Sequence, residues 1–167
     1  WDEQTCAYAA GEGHLEVLRW ARTVAVPPCP WDEQTCAYAA GEGHLEVLQW
    51  ARTVPPCPWD SRVCVFAAQG GHLAVLQWAR TVAVPPCPLG DEYTCMFAAQ
   101  GGQLAVLQWA RTVANPPCPW DEKTCESAIR CGHLEVLQWA RTVAVPPCPW
   151  DVGRCWSAAI EDGEVEV

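Results

Sequence analysis

An all-α helical-repeat array with about 30 residues per copy is the fold class this sequence predicts. Three observations carry the prediction. The unit Leu-x-Val-Leu-x-Trp-Ala-Arg-Thr-Val, closed by Pro-Pro-Cys-Pro, returns from Leu15, Leu45, Leu73, Leu104 and Leu134. Within it Leu15, Val17, Leu18, Ala21 and Val24 fall at the three- and four-residue spacings of one helix face. No run alternates apolar and polar residues between hairpin turn signals, so strands are not expected. The copies run 1–30, 31–58, 59–88, 89–119 and 120–149, with a partial sixth at 150–167, and form one repeat array, 1–167. Each copy in such an array buries its apolar face against its neighbours.

In the first copy Trp1-Asp2-Glu3-Gln4-Thr5 leads into the Ala-rich run Cys6-Ala7-Tyr8-Ala9-Ala10, and Asp2 is placed to cap a first helix near residues 2–10. Gly11-Glu12-Gly13 ends it, because glycine takes the left-handed cap conformation without a Cβ clash. His14 opens a second helix reaching Val24, and Val26-Pro27-Pro28-Cys29-Pro30 terminates that helix in a stiff, extended loop. Later copies edit this plan. The second lacks the Ala-Val pair before its prolines, and the fourth opens on Leu89-Gly90 and carries Gln103 where others have His14, His44, His72 and His133. In the sixth, eight steps separate Cys155 from Gly163, which implies an extra residue or a slipped register in its first helix. Loop edits at fixed helix length are what a stacked array tolerates best. The chain starts in mid-motif at Trp1 and stops inside a helical pattern at Val167, as a piece of a longer array is expected to do.

Charge narrows the partners. Ten Lys and Arg against twenty Asp and Glu give a net charge of -10, which repels both a phosphate backbone and an anionic membrane surface. No basic stripe hides in that total, since only the third copy is net positive. Nucleic acid is therefore not an expected partner. No apolar run approaches the roughly 20 residues that span a bilayer, so membrane insertion is not expected either.

The segment Ala-Ala-x-x-Gly-His-Leu-Glu-Val-Leu, at Ala9–Leu18 and again at Ala39–Leu48, resembles the middle of the ankyrin repeat, in which paired alanines end the first helix and Gly-His opens the second. The resemblance recurs along the whole chain. It implies an ankyrin-like solenoid of helix pairs with no or vestigial β-hairpins, the proline connector standing in their place. It also implies binding of another protein on the concave face lined by the first helices, and an intracellular, cytoplasmic setting. In that family the His after Gly is a helix-start residue bonding locally, and the Gln103 amide can do the same.

Eleven of the twelve cysteines hold two repeat-fixed places, on the first helix (Cys6, Cys36, Cys64, Cys95, Cys125, Cys155) and in the connector (Cys29, Cys57, Cys87, Cys118, Cys148), with Cys131 extra. Two readings stay open. The thiols are small apolar packing groups, reduced in the cytosol; or disulfides staple every connector to the next copy, as Cys29–Cys36, Cys57–Cys64, Cys87–Cys95, Cys118–Cys125 and Cys148–Cys155, and the chain is extracellular. Metal is the weaker option, because Cys6, His14 and Cys29 give three ligands where a structural zinc site wants four. No metal, cofactor or catalytic residue is assigned: a His recurring in four copies is not one site with a nucleophile held beside it. Tryptophans form two ladders, Trp1, Trp31, Trp59, Trp120 and Trp150 in the connector and Trp20, Trp50, Trp78, Trp109 and Trp139 on the second helix, and are expected to make the inter-repeat core.

Comparison of the copies separates a fixed second helix and connector from a varied first helix. One varied place reads Gln4, Gln34, Arg62, Tyr93, Lys123 and Gly153; another reads Ala7, Ala37, Val65, Met96, Glu126 and Trp156. Diversity on a repeated frame is the pattern of a protein–protein interaction scaffold, not of an enzyme. Arg62, Val65, Tyr93, Met96, Lys123, Glu126 and Arg130 are the candidate contact residues, since Tyr, Met and Arg are enriched in interface cores. The alternative is a structural spacer or filament, with end-to-end self-association and connector disulfides.

Overall fold

The computed structural model describes residues 2–53, 55–88, 92–153 and 155. Apart from Val152, Gly153 and Cys155, the sixth copy's first helix lies outside the described residues, as do Trp1, Trp156 and the Leu89-Gly90 opening of the fourth copy. The described residues form ten helices and no strand, so the chain is an all-α helical-repeat array. It divides into two compact units, residues 1–89 and 90–167. The first unit holds α1 (Glu3–Gly11), α2 (Leu15–Thr23), α3 (Glu33–Gly41), α4 (Leu45–Ala51), α5 (Arg62–Gly70) and α6 (Leu73–Thr81). The second holds α7 (Tyr93–Gln100), α8 (Leu104–Thr112), α9 (Glu122–Arg130) and α10 (Leu134–Thr142). Each odd-numbered helix pairs with the even-numbered one after it.

The turn inside each pair follows from one glycine. Gly13 sits at φ 72°, and around it the Gly13 N–H donates to Ala10 O (3.2 Å) and the His14 N–H to Ala9 O (2.8 Å). These two bonds satisfy carbonyls that the end of α1 would otherwise leave open. The same pair of bonds recurs from Gly43 and His44, Gly71 and His72, Gly102 and Gln103, and Gly132 and His133. At the other end Asp2 caps α1 as its sequence position predicts, accepting from the Thr5 N–H at 2.9 Å and the Thr5 hydroxyl at 2.8 Å. Asp32 and Asp121 cap α3 and α9 through Gln34 N and Lys123 N, both at 3.0 Å.

In the first unit α1 packs on α3 and α3 on α5; in the second α7 packs on α9. Small side chains make this close approach possible. Ala7, Ala10, Ala37, Ala39, Ala40, Ala67 and Ala68 are all buried there, and a Cβ on Gly11 or Gly41 would already stand 3.4 Å from Tyr38 or Phe66 Cβ. The second helices contribute the large core side chains, Leu18, Leu48, Leu76 and Leu107, each no more than 1% exposed. Burying one such leucine stabilises by about 1.5–3 kcal/mol.

The tryptophans are not the core that their ladders suggested. Trp20 is 49% exposed and Trp150 37%, and Trp31, Trp50, Trp59 and Trp78 are half-buried, leaving Trp109 as the one buried indole among the described residues. Alanine, cysteine, leucine and valine fill the centre, because helices approaching as closely as α1, α3 and α5 leave no room for an indole between them.

The connector also departs from a plain extended loop. After a bend at 24–27 it turns back on the helix it follows, and the Cys29 N–H donates to Ala21 O at 2.9 Å. Cys57, Cys87, Cys118 and Cys148 repeat this bond to Ala51, Ala79, Ala110 and Ala140. The two-residue deletion in the second copy is absorbed by the helix, not by the loop alone. α4 is 7 residues long against 9 in α2, and the Cys57 N–H still reaches Ala51 O at 2.8 Å.

Candidate functional site

The frame that holds the site is built by one arginine per copy. Arg52 at the end of α4 donates from Nη1 to Cys57 O at 2.5 Å, and its guanidinium lies 4.4 Å from the centre of the Trp59 ring. Trp59 in turn meets Trp78 edge to face, with ring centres 5.7 Å apart. Arg22–Trp31–Trp50 and Arg111–Trp120–Trp139 repeat the stack, with Arg22 and Arg111 bonding Cys29 O and Cys118 O. Guanidinium stacking adds about 0.5–1 kcal/mol at an exposed site, and a hydrogen bond from a charged donor about 1.5–3 kcal/mol. Each stack joins a second helix to the connector after it and to the second helix of the next copy, which explains why the arginine recurs in every complete copy and the connector tryptophan in all but the fourth.

On that frame the sequence-predicted contact residues separate. Tyr93 is exposed and Arg130 is exposed, while Met96, Lys123 and Glu126 are half-buried. Lys123 brings α7 and α9 together. Its ammonium stands 5.8 Å from the Tyr93 ring centre, 3.6 Å from a Glu92 carboxylate oxygen and 3.7 Å from Asp121. Arg130 pairs with Glu126 at 2.9 Å along α9. In the first unit Arg62 bonds Asp60 through Nε and Nη2, both at 2.9 Å. Burial raises the Asp60 pKa, but the hydrogen bonds from Arg62 more than offset this and hold it below the usual carboxylate value. Val65 is a correction. It is 9% exposed and packs in the core of the first unit, since its place on α5 faces the neighbouring helix where Ala7 and Ala37 sit in α1 and α3.

The first unit carries a groove that the sequence reading passed over. It has a volume of about 620 Å³ and is lined by Tyr8, Glu12, Tyr38, Glu42, Phe66 and the backbone of Gly11, Gly41 and Gly70. Tyr8 is 65% exposed and Tyr38 39%, and their ring centres are 6.4 Å apart. Its glycines sit where the lining helices come close, since a Cβ on Gly70 would stand 2.6 Å from the Gly41 carbonyl oxygen and the His72 ring. The signal was present in the sequence: the place two residues after the first-helix cysteine reads Tyr8, Tyr38, Phe66 and Phe97 in the first four copies, before Ser127 in the fifth.

The histidines serve the interface between copies. His72 Nε2 donates to Gly41 O at 2.9 Å and His133 Nε2 to Gln100 O at 3.0 Å, each reaching the first helix of the preceding copy. This corrects the local bonding expected of them. His14, offered by the sequence as a metal ligand with Cys6 and Cys29, is exposed at the start of α2, whereas both cysteines are buried.

All twelve cysteines are free thiols, eleven of them buried and Cys131 exposed. The connector thiol meets the first-helix thiol of its own copy, not that of the next. Cys6 lies beside Cys29, Cys36 beside Cys57, Cys95 beside Cys118 and Cys125 beside Cys148. Burial, with Cys29 beside it, pushes the Cys6 thiol up to about 12. Cys57, Cys95 and Cys148 are raised by their partner thiols and by burial, while the hydrogen bonds that Cys118 and Cys125 receive lower theirs. The Cys29–Cys36 and Cys57–Cys64 staples considered from the sequence are therefore not the thiol contacts of the fold.

Among the described residues no group of three or more His, Cys, Asp or Glu converges where a metal ion could sit, and no helix is long and apolar enough to cross a membrane. No protein-family model and no curated protein matches the sequence.

Proposed function

We propose that the chain is an ankyrin-like protein-interaction scaffold that binds a protein partner on the surfaces of its first helices. The observation that carries this reading is the groove across α1, α3 and α5, where Tyr8 and Tyr38 stand exposed beside Gly11 and Gly41. Exposed tyrosines held by a rigid frame present large amphipathic contact area at little entropic cost. The second unit offers Tyr93, Met96, Lys123, Glu126 and Arg130 in the same role. Binding, not catalysis, suits a surface whose polar groups are already paired with one another, as Lys123 is with Glu92 and Arg130 with Glu126.

A photo-activatable residue placed at Tyr38 or Tyr93, with Gln77 on the exposed side of α6 as the control, tests the reading in cells of the source organism. One partner protein cross-linked from Tyr38 or Tyr93 and not from Gln77 supports it. Equal cross-linking from all three places, or cross-linking only to further copies of this chain, favours the spacer or filament instead.

A further inference from the structure

Four copies place two buried thiols side by side at the point where the connector returns to its own first helix. Cys6 Sγ lies 4.0 Å from Cys29 O, and Cys95 Sγ lies 3.9 Å from Cys118 O. In three of these pairs the connector thiol is pinned from the other side by the start of its own copy, Cys29 Sγ donating to Asp2 O at 3.4 Å, Cys57 to Asp32 O at 3.3 Å and Cys148 to Asp121 O at 3.3 Å, whereas Cys118 donates to Pro119 O at 3.6 Å. The connector cysteine's own N–H is fixed on Ala21, Ala51, Ala110 or Ala140 of the preceding second helix. Both members of every pair are at most 1% exposed. Two adjacent buried thiols whose connector member is held through its own backbone N–H need little backbone movement to meet, which is what bridging requires.

We propose that Cys6–Cys29, Cys36–Cys57, Cys95–Cys118 and Cys125–Cys148 are dithiol sites that oxidise to intra-repeat cystines, each tying a connector to the first helix of its own copy. The oxidant is a small-molecule disulfide such as oxidised glutathione. One cysteine thiolate attacks a sulfur of that disulfide and releases one small thiolate; the second cysteine thiolate then displaces the other and closes the protein bond. Two electrons pass to the reagent, and the two cysteine protons leave on its two thiol products. Burial confines the first attack to chains that are folding or to a copy transiently opened at its connector. Cys64 and Cys87, both fully buried, occupy the same two places in the third copy. In the fifth, Cys155 joins Cys125 and Cys148 in one buried cluster as a third thiol. The consequence is specific: oxidation closes a loop inside each copy and leaves the packing between first helices free of covalent ties.

The test is to unfold and reduce the chain, refold it in a glutathione redox buffer, confirm helicity by circular dichroism, block residual thiols and digest with trypsin without reduction. Cleavage after Arg22 and Arg52 leaves Cys29 and Cys36 in one peptide and separates them from Cys6 and Cys57. Intra-repeat bonding therefore links peptide 1–19 to peptide 23–52, and 23–52 to 53–62, with Cys131 free or carrying glutathione. The oxidised chain is expected to show a higher urea midpoint that falls back on reduction. A closed peptide 23–52 holding a Cys29–Cys36 bond would overturn the proposal, as would a scrambled mixture or blocked free thiols at these pairs in a helical product. As a second measurement, the folded reduced chain is exposed slowly to the same reagent. Thiols lost in same-copy pairs support the proposal, and loss without regard to copy contradicts it.

Discussion

His72 donates its Nε2 proton to the carbonyl oxygen of Gly41, 2.9 Å away on the first helix of the preceding copy. The ring lies where a Cβ on Gly43 would fall, so that glycine is required twice, for its φ of 78° and for the histidine that covers it. Gly43→Ala is expected to destabilise by about 1–3 kcal/mol through backbone strain, with a further cost from displacing the ring. His72→Ala alone should cost about 0.5–1.5 kcal/mol for the lost hydrogen bond. In the double variant the displacement cost vanishes, so the two effects add to less than their sum. Urea denaturation of the four proteins checks this; strictly additive losses would show that the ring and the glycine are not in contact.

Arginine at the connector is not replaceable by lysine. Arg52 bonds the Cys57 carbonyl and covers Trp59 with one planar group, whereas an ammonium can do only one of these at a time. Arg52→Lys is expected to lose about 1–2 kcal/mol of stability. Arg80→Lys should lose less, because Arg80 bonds Cys87 O at 2.8 Å but the connector after it carries Leu89 in place of tryptophan. Equal losses at the two places would remove the indole from the account.

Leucine, not tryptophan, is the core residue of the second helix. Leu76 is completely buried, and Leu76→Ala should cost about 2–5 kcal/mol for the side chain and the cavity it leaves. Trp78, half-buried and edge-on to Trp59, should cost no more than Leu76 when truncated, although it is far larger. A substantially greater loss at Trp78, measured by the same urea titration, would restore the ladder as the core.

Asp60 contributes an acid-labile increment. Its folded pKa lies below the ordinary 3.8 because Arg62 hydrogen-bonds the carboxylate. The unfolded chain therefore takes up the proton first as pH falls, and the stabilisation is present above 3.8 and lost as pH drops through the folded value below it. Side chains here are 42% exposed on both partners, so the increment is small and shrinks in salt. Asp60→Asn should flatten the fall in urea midpoint over this acid range. An unchanged acid profile would place the lability elsewhere.

The repeat period, helix content, cap aspartates and turn glycines were legible because each is a local consequence of residue type: Asp2 before a helix, Gly13 at positive φ, prolines after Val26. What the sequence did not disclose depends on which residues meet across distance. The Cys29 partner is Cys6, 23 residues back, and not the nearer Cys36, because the connector folds onto the helix it leaves. Val65 read as a surface variant because it differs between copies, yet it varies within the limits of a packed site, Ala7 and Ala37 in its place being buried too. The Tyr8–Tyr38 groove was passed over because contact residues were sought among places that vary between copies, and the tyrosine is the same in the first two. Three-dimensional exposure, and not variation, marks those residues.

The central claim is that recognition lies on the first helices and stability on the second helices and connectors. Its most direct test is the affinity of the cross-linked partner, once purified, for the wild type, Tyr8→Ala with Tyr38→Ala, and Tyr93→Ala with Met96→Ala. Truncating interface anchors costs about 1–4 kcal/mol, so at least one double variant should bind roughly tenfold to several hundredfold more weakly, with its thermal unfolding nearly unchanged. Wild-type affinity in both variants, each with native helicity, would contradict the account.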